Sequence, residues 1–247
     1  MRTALLADTH GNAVGLRAVL AHLERDAVDQ ILCLGDVAQG GAQPAECLDL
    51  VQSAASALVL GNSDAFLLSV GAAANSAEPV TERHLETREW TLQQLRDSHL
   101  DFMRSFQPTV MVELGDGKIL RGFHGSPRSF DEVLLPETPD ADFAAALGPP
   151  DAALFAGAHV HFQWLRRYGP ALFLNPGSAG LAYDRAQPEE SFSFDPWAEY
   201  AVVAVVDGRT AIEFRRVPFD AEEVVRATLQ SGMPYAERRA QEWRRRR

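Results

Sequence analysis

Residues 3–12 read "TALLADTHGN". A short apolar run, 3–7, has the composition of a buried strand and runs straight into Asp8 and His10. Gly11 and Asn12 then turn the chain. Beyond them Leu16, Val19, Leu20 and Leu23 fall at i, i+3, i+4 and i+7, the spacing of one helix face. The same phrase returns twice. "QILCLG" is a second strand that ends at Asp36. "GGAQPAECLDLVQSA" is a turn and then a helix, with Pro44 suited to its first turn. "SALVLGN" is a third strand, followed by Ser63 and Asp64. A β-α-β-α-β succession implies a mostly parallel sheet with helices packed on it.

Outward from this unit the pattern changes. Residues 81–106 are polar and helical, with Leu85, Leu92, Leu95, Leu100 and Met103 as apolar markers, and Pro108 stops them. Strands are predicted at about 109–114, 118–123, 152–156, 171–174, 199–206 and 210–217, with "GDGK" as a hairpin turn between the first two. Helices are predicted at about 140–147 and 221–231. The second half therefore carries more β structure and a second sheet. Residues 183–197, "YDRAQPEESFSFDPW", form a long polar and aromatic loop.

The totals agree with a single domain spanning 1–247. The chain has 247 residues, 46% of them hydrophobic and 23% charged, enough to build a core without disulfides. Cys33 lies in an expected strand and Cys47 in an expected helix, outside any CxxC pair. They read as reduced core thiols of a cytoplasmic protein. No run approaches the ~18 apolar residues of a membrane span. A net charge of −11 disfavours nucleic-acid polymers as partners, and an anionic substrate would need a local cation. The exception to the acidity is the C-terminal stretch at about 234–247, with six arginines between Arg238 and Arg247. It reads either as a solvated helical tail or as an anion- or partner-binding arm.

The reactive residues share one kind of address. Asp8 and His10, Asp36, Asn62 and Asp64, His124 in "RGFHGSP", and His159 and His161 in "LFAGAHVHF" each follow the carboxyl end of an apolar run. In a parallel sheet those ends lie side by side, where ligands bind. Taken singly, each is an ordinary N-cap, turn or core residue. Taken together, Asp8, His10, Asp36, Asn62, His124, His159 and His161 would be costly to bury without a partner, and two divalent cations would satisfy them. Mixed carboxylate, amide and imidazole donors suit Mn²⁺, Fe²⁺, Zn²⁺ or Ni²⁺. His22, His84 and His99 lie in amphipathic stretches and read as surface residues.

In this order, "DTH", "GD", "GNSD", "FHG" and "GAHVH", followed by "LNPGSAG" at 174–180, the chain resembles the calcineurin-like metallophosphoesterase superfamily, and within it the small bacterial phosphodiesterase-like members. The resemblance implies an α/β fold, a two-sheet β-sandwich flanked by helices in four layers. It implies one cation held by Asp8, His10, Asp36 and His161 and another by Asp36, Asn62, His124 and His159, with Asp36 bridging and Mn²⁺ favoured. A hydroxide bridging the cations would attack the phosphorus, with Asp36, Asn62 and His124 holding hydroxide and phosphate. The paired imidazoles would face different cations, provided that 159–161 is strand-like so that both side chains share a face.

Two departures stand out. Ser63 occupies the place of a histidine found in the phosphatase branch, which points to phosphodiester or phosphoanhydride bonds with good leaving groups rather than to phosphomonoesters. Ala158 replaces a glycine, which implies a rearranged loop if that glycine needs positive φ. Asp64 is either a support for the site or the N-cap of the next helix. Arg128 and Arg185 are candidate phosphate contacts. The substrate is expected to be a small phosphate ester, a nucleotide among the candidates, with Tyr183, Phe192, Phe194 or Trp197 available to stack on a base or an aryl group. A monoesterase and a non-catalytic scaffold on the same fold are the alternatives. Oligomeric state is not legible.

Overall fold

The computed structural model describes residues 1–69 and 80–244. The first sheet is built from β1 (Arg2–Leu6), β2 (Gln30–Cys33) and β3 (Ala57–Leu58), which are parallel as predicted. Two helices connect them, α1 (Ala13–Asp26) and α2 (Pro44–Ala54). Alternate residues of β1 serve two different cores: Ala4 and Leu6 pack toward the helices, whereas Leu5 and Ala7 pack toward the second sheet. A strand buried on both faces reads as a continuous apolar run, which is why "TALLA" shows no alternation.

After α3 (Asn62–Leu68), residues 82–104 form two helices rather than one, α4 (Glu82–Gln94) and α5 (Asp97–Arg104). Leu95 and Arg96 are extended and break the run. The His99 imidazole accepts the Arg96 amide N–H (3.2 Å) and lies 3.0 Å from the Asp49 carboxylate. His99 is therefore a buried capping residue, against its expected surface role. His22 is half-buried and bonds the Tyr200 hydroxyl (2.6 Å), while His84 is exposed.

The second sheet contains β4 (Thr109–Gly115), β5 (Lys118–Phe123), β6 (Leu154–Ala156), β7 (Gln163–Tyr168) and β8 (Ala171–Pro176), in the order β4-β5-β6-β8-β7. α6 (Asp140–Leu147) covers its outer face through Phe143 and Leu147. β7 was not predicted: "QWLRRY" sits at a sheet edge and carries exposed arginine and leucine side chains where a buried strand would carry valines. β9 (Trp197–Val206) and β10 (Arg209–Pro218) return to the first sheet, giving the order β10-β9-β1-β2-β3. Each sheet is thus five-stranded and mixed. They face each other across Leu5, Leu32, Leu34, Leu120, Leu154 and Val203. With helices on both outer faces, this is the four-layer sandwich that the resemblance implies.

The C-terminal segment is not a solvated tail over its described part. α7 (Ala221–Gln230) and α8 (Ala236–Arg244) pack together, and Ala240 and Trp243 of α8 are buried with Val14, Leu181, Phe194 and Val225. The 183–197 loop is pinned beneath them: Phe194 lies 5.1 Å from the Trp243 ring, so these aromatics close a core edge. Arg245–Arg247 lie outside the described residues. No described helix is long and apolar enough to cross a membrane.

Candidate metal centre

The loops that leave β1, β2 and β6 set the site. Five of the seven candidate ligands have positive φ: Asp8 (54°), His10 (46°), Asp36 (56°), His159 (72°) and His161 (61°). Left-handed backbone is uncommon outside glycine, and such strain persists only where surrounding structure enforces it. Here the neighbouring loops do so. Asp8 N–H donates to the Gly35 carbonyl (3.0 Å) and His10 N–H to the Asp36 carbonyl (2.9 Å). The "LNPGSAG" stretch clamps the third loop, with Asn175 Nδ2 on the Ala158 carbonyl (2.7 Å) and Ser178 Oγ on the Asp8 carbonyl (2.7 Å). A Cβ on Gly180 would run into the Thr9 carbonyl, so only glycine lets this stretch approach β1 so closely. β6 ends at Ala156, so 159–161 is not a strand. The left-handed turns at His159 and His161 fall on the histidines themselves, while Ala158 keeps negative φ. Alanine there needs no rearranged loop.

Backbone carbonyls decide which nitrogens face inward. His10 Nδ1 donates to Gln39 (2.7 Å), His124 Nδ1 to Leu34 (2.7 Å) and His161 Nδ1 to Leu181 (3.0 Å). In each ring Nε2 then points into the site, and on the neutral His10 and His161 it offers a lone pair. The His10 and His161 Nε2 atoms stand 3.1 Å apart, two lone pairs with no hydrogen between them. Beside them, Asp8 Oδ1 is buried with no hydrogen-bond partner, 3.8 Å from His10 Nε2, 3.5 Å from His161 Nε2 and 3.9 Å from His124 Nε2. Such a set is repulsive when empty and complementary to a cation. Asp8, His10 and His161 bring one ligand atom each within metal-binding reach, as do Asp8, Asp36 and His124. Asp36 Oδ2 lies between the groups, 3.5 Å from His10 Nε2 and 3.4 Å from His124 Nε2. Asn62 Oδ1 completes the second side, 2.9 Å from His124 Nε2 and 3.1 Å from His159 Nδ1. The two imidazoles of "HVH" thus serve opposite ends of the cluster.

The protonation pattern reports the same demand for positive charge. Burial, with Asp36 nearby, pushes the Asp8 carboxyl up to about 8. Burial opposes charge on His124, but Asp36 and Asp8 override it and raise the imidazole to about 10. Asp36 is also buried, yet His124 holds its carboxylate well below the usual range. Burial lowers His10, His159 (to about 4) and His161, so these three are neutral at pH 7. Without a cation, protons on Asp8 and His124 occupy the role that a metal would take.

The remaining predicted residues separate. Asp64 is fully buried and is not the N-cap of α3, which is Gly61; it stands at the third position of the helix and serves both the helix start and the site. Its carboxylate accepts the backbone N–H groups of Asp36 (2.7 Å), Val37 (3.0 Å) and Gly61 (3.2 Å), which fixes the Asp36 loop. Burial and Asp36 raise it to about 6. Ser63 donates to Asp36 with both its amide (2.8 Å) and its hydroxyl (2.9 Å). Arg128 lines the cleft but is bonded to Glu132 and to the Ala145 carbonyl (3.0 Å). Arg185 is not in the cleft lining; it pairs with Glu137 and stacks on Phe162. The cleft itself measures about 910 Å³. Arg83 and Tyr235 also line it, with Arg239 from α8. None of these three belongs to a motif, although the arginine-rich C-terminus was a signal for one of them.

Comparison with known proteins agrees with the fold. Residues 1–195 match the calcineurin-like phosphoesterase superfamily domain. An uncharacterized protein of Methanocaldococcus jannaschii is 25% identical over 242 residues, covering 94% of this chain and 93% of its own length. The crystal structure of a metallophosphoesterase from Sphaerobacter thermophilus has a TM-score of 0.76 at 23% identity, with 99% of each chain covered. A hypothetical protein of Pyrococcus horikoshii has a TM-score of 0.77 at 17% identity, with 95% of this chain and 94% of that one covered. The match over most of its length shows that the chain belongs to the calcineurin-like phosphoesterase superfamily.

Proposed function

We propose that this protein is a hydrolase of small phosphodiesters or phosphoanhydrides, working with two divalent cations, Mn²⁺ favoured. Asp8, His10, Asp36 and His161 would hold one cation, and Asp36, Asn62, His124 and His159 the other, with Asp36 between them. The observation that carries this reading is the set of inward imidazole Nε2 atoms around the orphaned Asp8 oxygen. Two such cations supply Lewis acidity toward phosphate oxygens and an activated water at neutral pH. The chain supplies their positions: carbonyls of Leu34, Gln39 and Leu181 orient the rings, and Asp64 orients the Asp36 loop.

Ser63 supports the preference for diesters. Its hydroxyl hydrogen is spent on Asp36 and is not offered to a leaving alkoxide. Poor leaving groups need a proton donor, whereas activated diesters and anhydrides do not. The buried free thiols Cys33 and Cys47 fit a reducing cytoplasm as the place of action.

The test is hydrolysis of bis-p-nitrophenyl phosphate and p-nitrophenyl phosphate by chelator-treated protein resupplied with Mn²⁺. Both esters release the same phenol, so their ratio reads diester against monoester preference. Metal-restored activity stronger on the diester is the expected result. Stronger activity on the monoester contradicts the preference. Two bound cations without turnover of either ester would move the chain to a non-catalytic scaffold.

A further inference from the structure

The cleft has a second wall, and its charge is opposite to that of the chain as a whole. Arg83 of α4 and Arg239 of α8 line it, 156 residues apart in sequence. The Arg83 guanidinium lies 5.6 Å from the Tyr235 ring centre, and that ring is anchored by its hydroxyl on Glu86 (2.5 Å). Arg239 lies 5.3 Å from the Phe194 ring centre, which fixes its direction.

Charge pairing distinguishes these arginines from Arg128. Arg128 is neutralised by Glu132 through two nitrogens. Arg83 forms no ion pair among the described residues. Arg239 has one carboxylate, Glu242 (3.1 Å), which it shares with Arg238 (3.5 Å). Arg239 Nε is buried with no hydrogen-bond partner. Burial, and after the opposing pull of Glu242 the charges of Arg83 and Arg238, act against its protonated form. Two guanidinium groups share the one Glu242 carboxylate, and the Arg83 guanidinium, whose neighbour Glu86 is held by the Tyr235 hydroxyl, lines the same cleft in a protein of net charge −11. His10 of the metal cluster and Arg239 line the same cleft. Guanidinium groups bind phosphate through paired N–H donors.

We propose that Arg83 and Arg239 form a subsite for a second phosphate of the substrate, so that the ester or anhydride presented to the metal wall carries a further phosphate beyond the bond to be cut. The subsite rests on the phosphoesterase reading for its purpose, but it is testable without turnover. The probes are non-hydrolysable: methylphosphonate and α,ω-alkane bisphosphonates with spacers of two to six carbons. Their binding to the Mn²⁺-supplied protein is measured by calorimetry.

The wild type is expected to bind the best-fitting bisphosphonate at least tenfold more tightly than methylphosphonate. Arg239→Gln and Arg83→Gln each remove most of that advantage. Arg83→Gln on the cleft side of α4 guards against a folding defect in Arg239→Gln, and thermal unfolding of both variants is compared with the wild type. A bisphosphonate that binds no better than methylphosphonate at any length overturns the subsite. So does an advantage that survives both substitutions, and so does the absence of binding by any bisphosphonate. Hydrolysis of bis-p-nitrophenyl phosphate by the same preparation reports the phosphoesterase reading separately.

Discussion

The two walls of the cleft are built on opposite principles. The metal wall uses small loops at strand ends, left-handed backbone and groups that are buried or half-buried. Its Nδ1 hydrogens are directed outward to backbone carbonyls, leaving Nε2 atoms and carboxyl groups inside. The other wall uses two helices, long side chains and partly exposed arginines, two of which share the single Glu242 carboxylate. Rigidity belongs to the side where chemistry needs fixed geometry. Reach and charge belong to the side that meets the variable part of a ligand. Each wall is unfavourable by itself, one for want of a cation and the other for want of an anion.

The comparison breaks most visibly at Asp36. Asp36→Asn removes charge from the residue that lies between His10 and His124 and accepts from Ser63. Activity on bis-p-nitrophenyl phosphate should fall by more than the roughly 10–100-fold that losing a merely orienting group costs. Wild-type-like turnover in this variant would remove the metal wall from the reaction.

The next effect is on pH. At pH 7 the cation-free protein holds protons on Asp8, at about 8, and on His124, at about 10. A cation must displace both, whereas His10 and His161 are already neutral and release none. Loading should therefore release about two protons and tighten as pH rises, by up to about a hundredfold per unit between pH 6 and 7. Calorimetry in buffers of different ionisation enthalpy counts the protons, and affinity independent of pH would contradict the assignment.

Asp64→Ala leaves three buried N–H groups without their acceptor and unfastens the Asp36 loop. A loss of roughly 10–100-fold in metal affinity is expected from a group of this kind. Metal titration of the folded variant reads it, and an unchanged affinity would make Asp64 only a helix support. The smallest effect is at Ser63. Ser63→Ala deletes one bond to Asp36 and keeps the amide bond, so about 1 kcal/mol, or roughly fivefold, is expected in kcat/KM for the diester. A collapse by orders of magnitude would make Ser63 a participant in proton transfer, and the diester preference would lose its basis.

The walls also differ in how far the chain alone reveals them. The metal wall is written in short stretches, because each ligand sits one to five residues past a strand end and parallel strands align those ends. Seven candidate ligands were legible for that reason. What was not legible there was conformation: "HVH" suggests strand alternation, but two left-handed residues do the aiming. The helical wall has no such grammar. Arg83 sits in a polar helix among other charges, and only tertiary packing brings it beside a residue from α8. Arg128 and Arg185 looked better because they flank the motifs, yet carboxylates already hold both. β7 and the return of β9 and β10 to the first sheet were hidden for a related reason. Edge strands carry polar residues, and strand order is a long-range property that local patterning does not encode.

The central claim is that this ring of carboxylates, amide and imidazoles holds two cations. Mn²⁺ titration of chelator-stripped protein, with bound metal counted per chain, tests it most directly. The account predicts two equivalents in the wild type and fewer in Asp36→Asn. A folded wild-type protein that binds less than one equivalent would contradict it.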